Sequence, residues 1–573
     1  MSKTRRAAAV ASAGASATWT PGSILSIFIS NGTAAQPNAG LLAGNGFSYD
    51  ATTCPTGSCR GGNGGLLGSG GNGYNGGDGG AAGWVGNGGN GGDAITVANG
   101  GNGGAGGMFL GNGGKGGDGS PGAAAGPVQV LLNFTGTAGD VPGDDPKGSM
   151  VLNGSTLYGF TSQGGTGTDD GGVIFAFDTD SNTYTVLASF SENDSSGSQP
   201  HHGFATLDGG TLIRPLYYGG QNDNSVYYGS VFSVQANGSD PVADYVFTGS
   251  PTAPTALGDG GQPHSGLLSA GNGLYYGLTA IGGTNSAGTL YSYDASTGSV
   301  TTLYAFSQET GFDPHGQVIF DSTGTLLLGL SRQGGTGVGN SDTSGEVPGV
   351  IFSFNPTTME YTDLYNFTST GCSSTPSNDC TPYFSDHGIL TLGTGSNATN
   401  VFGMTEYGGT ENLGTVFSFS ETDASTLNVL HSFGGDPDGK HPFGSLVLNP
   451  IDGYLYGMTS EGGTSDGGTV FRIGQDGSGY TVLASLSSST GNDPIDNVTF
   501  TTDGTTLYGL TQEGGSGSCG TAGCGTLFSM SVMPVGGGNG GNGGDGALLF
   551  GRGGAGGTGG TPGGADGANG RNW

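Results

Sequence analysis

Histidine is the residue type whose positions in this chain most resemble a chemical site. Six of the seven histidines lie at or beside a turn that recurs along the sequence as PHHG, PHSG, DPHG, SDHG and KHPFG. The first copy of the turn has lysine (DPKG) and the last has isoleucine (DPID). The candidate set is Lys147, His201, His202, His264, His315, His387 and His441. Imidazole titrates near neutral pH and binds metals and hydrogen-bonding ligands.

Two interpretations of this set stay open. If the repeats surround an axis, equivalent turns gather on one face, and the side chains form a broken ring. Such a ring could bind an anionic or sugar-like ligand, or a metal adventitiously. In the other interpretation, each histidine packs over its turn and bonds a backbone carbonyl, because repeats copy structural residues as readily as functional ones.

Other motifs add little chemistry. The GxGxxG match at Gly71–Gly76 is expected by chance in a chain with 129 glycines, and it does not open a helix. Gly88–Thr96 fits a calcium-binding nonapeptide with Asp93 as ligand, but the neighbouring tracts break its register. No Gly-x-Ser-x-Gly elbow in a strand-to-helix context and no His-Glu-x-x-His occurs. We therefore predict no catalytic residues and no cofactor, with a propeller enzyme acting on polysaccharide as the alternative.

The six cysteines fall as three close pairs in turns rich in Gly, Ser or Thr. The pairs are Cys54/Cys59, Cys372/Cys380 and Cys519/Cys524. Their even number and short spacing predict three disulfides and an oxidising compartment, with free thiols as the alternative. Zinc is disfavoured, because no Cys-x-x-Cys occurs and no histidine lies nearby in the sequence.

The turns belong to a repeat with seven copies. Each copy has an apolar run such as TLYGLT, a Gly-Gly loop, a second run such as TVFSF, a third such as YTVLASF, and a fourth such as GSLVLN. The first glycines of the loops, 52 to 74 residues apart, are Gly164, Gly219, Gly282, Gly334, Gly408, Gly462 and Gly514. The runs alternate with period two and carry bulk on both faces, which is typical of strands sandwiched between sheets. We predict an all-β, seven-bladed propeller of four-stranded blades, with an open β-solenoid as the alternative.

The two ends of the array predict that the ring is closed. The seventh copy stops at Met530–Met533 without its third run, and a matching run, VQVLLNF, lies before the first copy at Val128–Phe134. A strand from 128–134 that completes the last blade would remove an exposed sheet edge.

The repeat unit resembles the Gloeobacter/Verrucomicrobia ("GloVer") tandem repeat of bacterial surface proteins. The likeness spans about 127–533, and copy two departs most, because Arg214-Pro215-Leu216 replaces the Gly-x-Thr segment. The resemblance implies an extracellular, anchored propeller and supplies no ligand or activity. The departure predicts a distorted second blade.

Gly-Gly-x triplets fill two tracts, 60–126 and 534–573, that flank the repeats. With the lead-in NGTAAQPNAGLLAGNG they resemble the PGRS region of mycobacterial PE-PGRS proteins, although no helical PE domain precedes them in this sequence. The triplets suit a layered, polyglycine-II-like module into which the propeller is inserted, and disorder is the alternative. The apolar pairs Leu66-Leu67, Trp84-Val85, Met108-Phe109 and Leu548-Leu549 are expected to plug the faces of that module.

The charge of the chain limits its partners. The net charge is −32, from 12 basic and 44 acidic residues, which disfavours nucleic acid and anionic membrane surfaces. Residues 1–20 are a disordered tail or an export signal with Arg5-Arg6, and no stretch reaches transmembrane length. The predicted organisation is a tail and lead-in (1–59), a Gly-rich tract (60–126), the propeller (127–533) and a second Gly-rich tract (534–573). We predict a monomeric, secreted or cell-surface protein that binds an extracellular protein or glycan, with a purely structural envelope component as a further alternative.

Overall fold

The computed structural model of the chain has two compact units. One combines Met1–Ala123 with Met533–Trp573, and the other is Ala124–Val532, which lies between those two segments in the sequence. The structure describes residues 26–50, 52–54, 59–93, 100–117, 126–137, 139–166, 170–191, 197–203, 206–219, 228–252, 256–264, 266–336, 348–368, 380–383, 388–421, 423–532, 542–546, 552–557, 568–569 and 571.

Unit Ala124–Val532 is an all-β propeller of seven blades, each a four-stranded antiparallel sheet. The strands of each blade are given from the first to the fourth. Blade 1 consists of Val151–Asn153, Thr156–Thr161, Val173–Asp178 and Thr183–Ser189, and blade 2 consists of Thr206–Asp208, Thr211–Leu216, Ser230–Gln235 and Val242–Val246. Blade 3 consists of Leu268–Gly271, Leu274–Thr279, Thr289–Asp294 and Ser299–Ala305, and blade 4 consists of Ile319–Phe320, Leu327–Gln333, Pro348–Asn355 and Glu360–Asn366. Blade 5 consists of Thr391–Leu392, Asn400–Thr405, Thr415–Ser420 and Asp423–Ser432. Blade 6 consists of Val447–Leu448, Tyr454–Thr459, Thr469–Gly474 and Thr481–Ser485. Blade 7 consists of Thr499–Phe500, Thr506–Thr511, Thr526–Ser531 and Gln129–Asn133.

Small elements lie between these strands. Gly260–Gly261 pairs with Ile281–Gly282, and Cys380–Tyr383 pairs with Tyr407–Gly409. One 3-10 turn, Gly395–Asn397, lies between the first two strands of blade 5, and helix is otherwise almost absent from the described residues. The seven four-stranded sheets confirm the predicted fold class.

The predicted closure of the ring is confirmed. Strand Gln129–Asn133 pairs antiparallel with Thr526–Ser531 and becomes the fourth strand of blade 7. Leu132 and Phe134 share one core cluster with Phe175 of blade 1, so the last blade packs against the first.

Seven buried clusters, one between each pair of neighbouring blades, hold the ring together. In the third strand of blade 6, Phe471 and Ile473 pack toward blade 5, whereas Val470 packs toward blade 7. Successive side chains of a strand point to opposite faces. The bulk on both faces of the repeat is therefore burial against both neighbours.

At two positions of the repeat, a steric or a hydrogen-bonding contact explains why the same residue type recurs. In six blades, a methyl group added to the glycine of the second strand would lie 2.4 to 2.7 Å from the aromatic ring of the third strand, as at Gly403 against Phe417. In four blades, a buried threonine at the end of the second strand meets a threonine of the third strand, as at Thr459–Thr469, where the hydroxyls are 2.9 Å apart. Each hydroxyl is thereby satisfied inside the core.

The predicted distortion of blade 2 is wrong. Its second strand, Thr211–Leu216, pairs with Ser230–Gln235 without a register shift. Arg214 occupies the position of the repeat glycine, and its guanidinium lies 3.2 Å from the centroid of the Phe160 ring in blade 1. Stacking on a neighbouring blade gives the buried cation a place that leaves the sheet intact.

The Gly-rich unit is built from extended segments that hydrogen-bond to neighbours on more than one side. The Gly79 N–H donates to Asn102 O and the Gly80 N–H donates to Gly71 O, both at 2.8 Å. A methyl group added to Gly79 would lie 1.9 Å from Gly89 O. The described segments are thus ordered, and at such glycine positions their backbones are packed too closely for any other residue, as polyglycine-like packing requires.

The third residue of the triplets forms a side-chain ladder on the surface. The Asn72 side-chain oxygen accepts from the Asn90 N–H, and the Asn90 oxygen accepts from the Lys115 N–H, both at 2.9 Å. Asparagine therefore ties each segment to the next.

The expectation that apolar pairs plug this module is wrong for the pairs that the structure describes. Leu67, Trp84, Met108 and Phe109 are 39 to 61 % exposed. The closely spaced backbones leave no space for side chains between the layers, so the apolar residues project outward at turns. The pair at 548–549 lies outside the described residues.

Two predicted disulfides are confirmed, Cys54–Cys59 and Cys519–Cys524. Cys372 lies outside the described residues, so the third pairing stays a prediction. No helix in the described part of the chain is both long and apolar enough to span a membrane.

Candidate functional site

Two loops of every blade lie on the same face of the propeller. The four strands of a blade run antiparallel to one another in order. The first strand therefore begins at the same end of the sheet at which the second strand ends and the third strand begins. The connection entering a blade and its Gly-Gly loop are joined there by short ladders, as at Asp144–Gln163 and Lys440–Glu461. We call this the top face, and the candidate histidines that the structure describes lie on its entering connections.

The Gly-Gly loops fix these connections in place. The first glycine of each loop has φ between 71° and 96°, a left-handed conformation that favours glycine. A methyl group added to Gly219 would lie 2.2 Å from the Cα of Gly197 in the entering connection. The top face is therefore a rigid surface with a repeated backbone.

That backbone defines which candidates are equivalent. In six entering connections a residue with φ of 52° to 57° precedes a proline; these residues are Asp145, Gln199, Gln262, Asp313, His441 and Asp493. The residue after the proline is Lys147, His201, His264, His315, Phe443 or Ile495. His441 thus precedes the proline, so it is not the counterpart of the other histidines. His387 lies outside the described residues.

The structure brings four candidates together on blades 2 to 4. The His264 ring stacks on His315 at 3.8 Å and meets His201 edge-on at 5.3 Å. His202 lies 5.5 Å from His201. Tyr217 packs 4.6 Å from His201 and 4.2 Å from His264. His202, His264 and His315 are buried, whereas His201 and Tyr217 are half-buried.

An ion pair supports the edge of this cluster. His315 Nε2 lies 2.9 Å from Asp313 Oδ1, and Arg332 donates to Asp313 Oδ2 at 3.1 Å. Burial alone would raise the pKa of the Asp313 carboxyl, but the hydrogen bonds and charges of His315 and Arg332 lower it below its ordinary value. The cluster is thus held in one arrangement, and ligand binding by it stays a prediction.

Lys147 and His441 have partners of their own. Lys147 Nζ lies 2.8 Å from Asp145 Oδ2. His441 packs edge-on against Tyr407 at 5.0 Å, and its Nδ1 lies 3.3 Å from the Glu406 carbonyl oxygen. Burial lowers the pKa of His441. This is the arrangement that the structural interpretation of the histidines predicts.

The axis at the top face is filled by a buried carboxylate that sequence reasoning missed. Asp496 accepts from the Ser149 hydroxyl at 2.8 Å and from the Gly203 N–H at 3.3 Å, which ties blade 7 to blades 1 and 2. His202 Nδ1 lies 3.4 Å from Asp496, and Arg214 donates to the His202 carbonyl at 2.9 Å. Burial raises the pKa of Asp496 to about 6.

A ligand-sized space instead opens where blade 7 meets blade 1. This cleft of about 600 Å³ lies among the connection entering blade 1, the Gly-Gly loop of blade 1 and the disulfide-bonded loop of blade 7. Its lining consists of Thr135, Thr137, Asp144, Asp170, Ser516, Ser518, three glycines and Cys519. The hydrogen-bonding side chains of the lining are thus hydroxyl and carboxylate groups.

The two carboxylates of the cleft differ in their surroundings. Burial raises the pKa of Asp144 to about 6, and the nearby carboxylates of Asp145 and Asp170 add to the shift. Asp170 accepts from the Gly164 N–H at 2.8 Å, which fixes it to the Gly-Gly loop. Asp144 can therefore gain or lose a proton near neutral pH.

No complete metal centre is present among the residues that the structure describes. The one close group of metal-ligating residue types is Asp144, Cys519 and Cys524, and its two sulfurs are joined in a disulfide. Asp93 is exposed, and residues 94–96 of its motif lie outside the described residues, so its calcium role stays a prediction.

Sequence comparison agrees with this architecture. The Gloeobacter/Verrucomicrobia repeat matches residues 85–341 and 340–528. The chain belongs to the Gloeobacter/Verrucomicrobia repeat family. In this family member, the matched residues include every blade of the propeller.

Solved structures resemble this family member at low identity. An oligogalacturonate lyase in complex with manganese is 11% identical over 72% of this chain and 99% of its own, with a TM-score of 0.41. TolB from Acinetobacter baumannii is 12% identical over 66% and 79%, with a TM-score of 0.32. A gluconolactonase from Xanthomonas campestris is 9% identical over 72% and 97%, with a TM-score of 0.30. None of these likenesses indicates an activity here, and no curated protein matches the chain.

The residues that sequence reasoning missed lie at positions where a copy departs from the repeat, and these departures could have located them. Arg214 replaces a glycine that the other six copies keep, and Asp496 follows Ile495 where most copies have glycine. Tyr217 follows the same altered segment. A buried charge in a repeat of glycine and apolar residues needs a specific partner.

Proposed function

We propose that the protein is a secreted or cell-surface interaction protein that binds a glycan through the cleft between blades 7 and 1. The observation that carries this proposal is the lining of the cleft, with four hydroxyl side chains and the carboxylates of Asp144 and Asp170. Such groups hydrogen-bond to sugar hydroxyls, and a concave site with a few convergent polar groups is the usual place for a small ligand.

The proposed location has separate support. The two disulfides are compatible with an oxidising compartment. The Gly-Gly-x tracts resemble the PGRS region of mycobacterial PE-PGRS proteins, which are surface-associated. A lysine-poor chain with a net charge of −32 also suits an extracellular protein.

The negative charge of the cleft favours a glycan that carries amino groups. Asp144 and Asp170 place two carboxyl groups in one cleft of a unit that is strongly acidic. An ammonium group would offset their repulsion and donate up to three hydrogen bonds. We therefore expect binding of a glucosamine polymer to pass through a maximum with pH. Asp144 ionises as the pH rises through about 6, and the ammonium groups of the polymer lose their protons as the pH rises further.

The test uses the full chain with oligomers of glucosamine and of N-acetylglucosamine. Asp144→Asn and Asp170→Asn should each weaken glucosamine-oligomer binding about tenfold or more, since each removes one carboxylate from the cleft. Asp180→Asn, in the exposed turn between the last two strands of blade 1, is the matched control and should bind as wild type. Equal binding by all variants, or binding only to protein partners, would refute the proposal.

The same pair of carboxylates favours a second candidate function, polysaccharide cleavage. A carboxyl whose pKa is about 6 can act as a general acid, with a second carboxyl group in the same cleft. Release of reducing ends from the bound oligomer, lost in both cleft variants and kept in Asp180→Asn, would identify an enzyme. Binding without release would support the interaction protein.

A further inference from the structure

One edge of the Gly-rich unit is a continuous ridge of apolar side chains. Its turns, at 27–29, 41–42, 67, 84–85 and 108–110, lie next to one another in space. Parallel bridges connect them in order, from Ala43 to Leu67, from Leu67 to Val85 and from Val85 to Leu110. We call these five turns the apolar ridge.

The apolar ridge is much more exposed than a core would be. Leu41 is 63 % exposed, Leu67 61 %, Met108 55 % and Trp84 50 %. With eleven large apolar side chains exposed by 38 to 63 %, the area is on the order of 1,000 Å², above the few hundred Å² that soluble monomers usually expose. A patch of this size marks a surface for interaction.

The ridge is held rigidly by its backbone. The Leu67 N–H donates to Leu42 O at 3.0 Å, and the Phe109 N–H donates to Trp84 O at 2.9 Å. The rings of Trp84 and Phe109 meet edge-on at 5.9 Å. A methyl group added to Gly83, just before Trp84, would lie 2.1 Å from Gly65 O. The side chains therefore cannot turn inward, and their exposure is built into the packing of the unit.

The charge of the Gly-rich unit differs sharply from that of the propeller. Its two segments hold seven of the 12 basic residues and six of the 44 acidic residues, so it is nearly neutral. The propeller holds the remaining five basic and 38 acidic residues, a net charge of −33. The repulsion from anionic surfaces that the whole-chain charge implies therefore originates in the propeller alone.

We propose that the apolar ridge inserts into the surface of an uncharged or zwitterionic lipid layer. Tryptophan, phenylalanine, leucine and methionine on a nearly neutral scaffold suit the boundary between headgroups and acyl chains. A second copy of the chain fits the ridge less well, because each copy brings another propeller with a charge of −33 and lipid does not. This inference is independent of the cleft and its ligand.

The test is flotation of the full chain with phosphatidylcholine vesicles. Wild type should float, and raising the salt concentration should change the bound fraction little, because the contact is apolar. The triple variant Leu41→Ser, Leu67→Ser, Met108→Ser should lose at least tenfold in partitioning. A matched control on the propeller, Val242→Ser, Met359→Ser, Ile451→Ser, changes side chains that are 48 to 60 % exposed and should float as wild type.

A second measurement keeps the ridge apolar. Brominated phosphatidylcholine should quench the fluorescence of Trp84 in wild type, and Trp84→Phe should remove the quenched component. Failure of wild type to float, or flotation only with cationic vesicles, would overturn the proposal. So would a concentration-dependent dimer that forms without lipid and is lost in the triple variant.

Discussion

Replacing Phe134 with alanine tests whether the ring is closed by the strand that precedes the first repeat. Phe134 is fully buried, and its ring lies 5.5 Å from Phe175 and 6.3 Å from Tyr184 of blade 1. Truncation of a buried phenylalanine costs about 3–5 kcal/mol. For roughly 400 residues unfolding together, at about 2.1 cal/mol/K per residue, this lowers the Tm by about 4–6 °C.

Phe433→Ala is the matched control. Phe433 occupies the same repeat position in blade 5, is fully buried, and packs 5.4 Å from Phe471 and 6.1 Å from Tyr480 of blade 6. Its strand, however, is covalently continuous with its own blade. Thermal unfolding followed by far-ultraviolet circular dichroism should show similar decreases in Tm for both variants. An unchanged Tm in Phe134→Ala beside a lowered Tm in Phe433→Ala would refute the closed ring.

Two further predictions concern the repeat glycine and the axis. Gly403→Ala should destabilise the propeller by about 1–3 kcal/mol or more, because its methyl group would lie 2.4 Å from the Phe417 ring. The added methyl group of Gly154→Ala would meet nothing within 4 Å, so this control should cost only about 1 kcal/mol for its positive φ. Urea unfolding measures the free energy of unfolding of both variants. Burial raises the pKa of Asp496 from 3.8 to about 6, so folding is accompanied by proton uptake between these two pH values. The contribution of Asp496 to the stability of the folded state is therefore greatest below about pH 4 and is lost as the pH rises to 6. Asp496→Asn should remove about 2 kcal/mol of the pH dependence between pH 4.5 and 7. An unchanged dependence in urea unfolding at these two pH values would contradict the assignment.

Seven blades could be predicted from the sequence because their causes are local. The closure could be predicted because the run that the last copy lacks lies before the first copy. The period-two runs, the glycine of the second strand and the left-handed first glycine of each loop all act within one repeat. The axial network could not be predicted in this way. Ser149 and Asp496 are 347 residues apart, and their contact depends on the diameter of the finished ring.

The Gly-rich unit shows where the usual rule that apolar residues are buried fails. A core requires space for side chains, but here an added methyl group would lie about 2 Å from a neighbouring carbonyl oxygen, as at Gly61 and Gly79. Apolar residues can then lie only at turns, outside the packed backbones. The sequence therefore predicted order in these tracts and misplaced the side chains of Trp84 and Leu67.

The repeated backbone of the top face carries different chemistry on its two sides. Histidine follows the proline on blades 2, 3 and 4, and on blade 4 it pairs with the aspartate before the proline. On blades 7 and 1 an aspartate also precedes the proline, but isoleucine and lysine follow it. Burial raises the pKa of Asp493 on blade 7 to about 7, and the carboxylates of Glu513, Glu461 and Asp145 add to the shift. Carboxyl groups this close share protons, and a cationic partner relieves their repulsion. A ligand with amino groups should therefore approach the propeller from the side of blades 7 and 1, where the cleft lies.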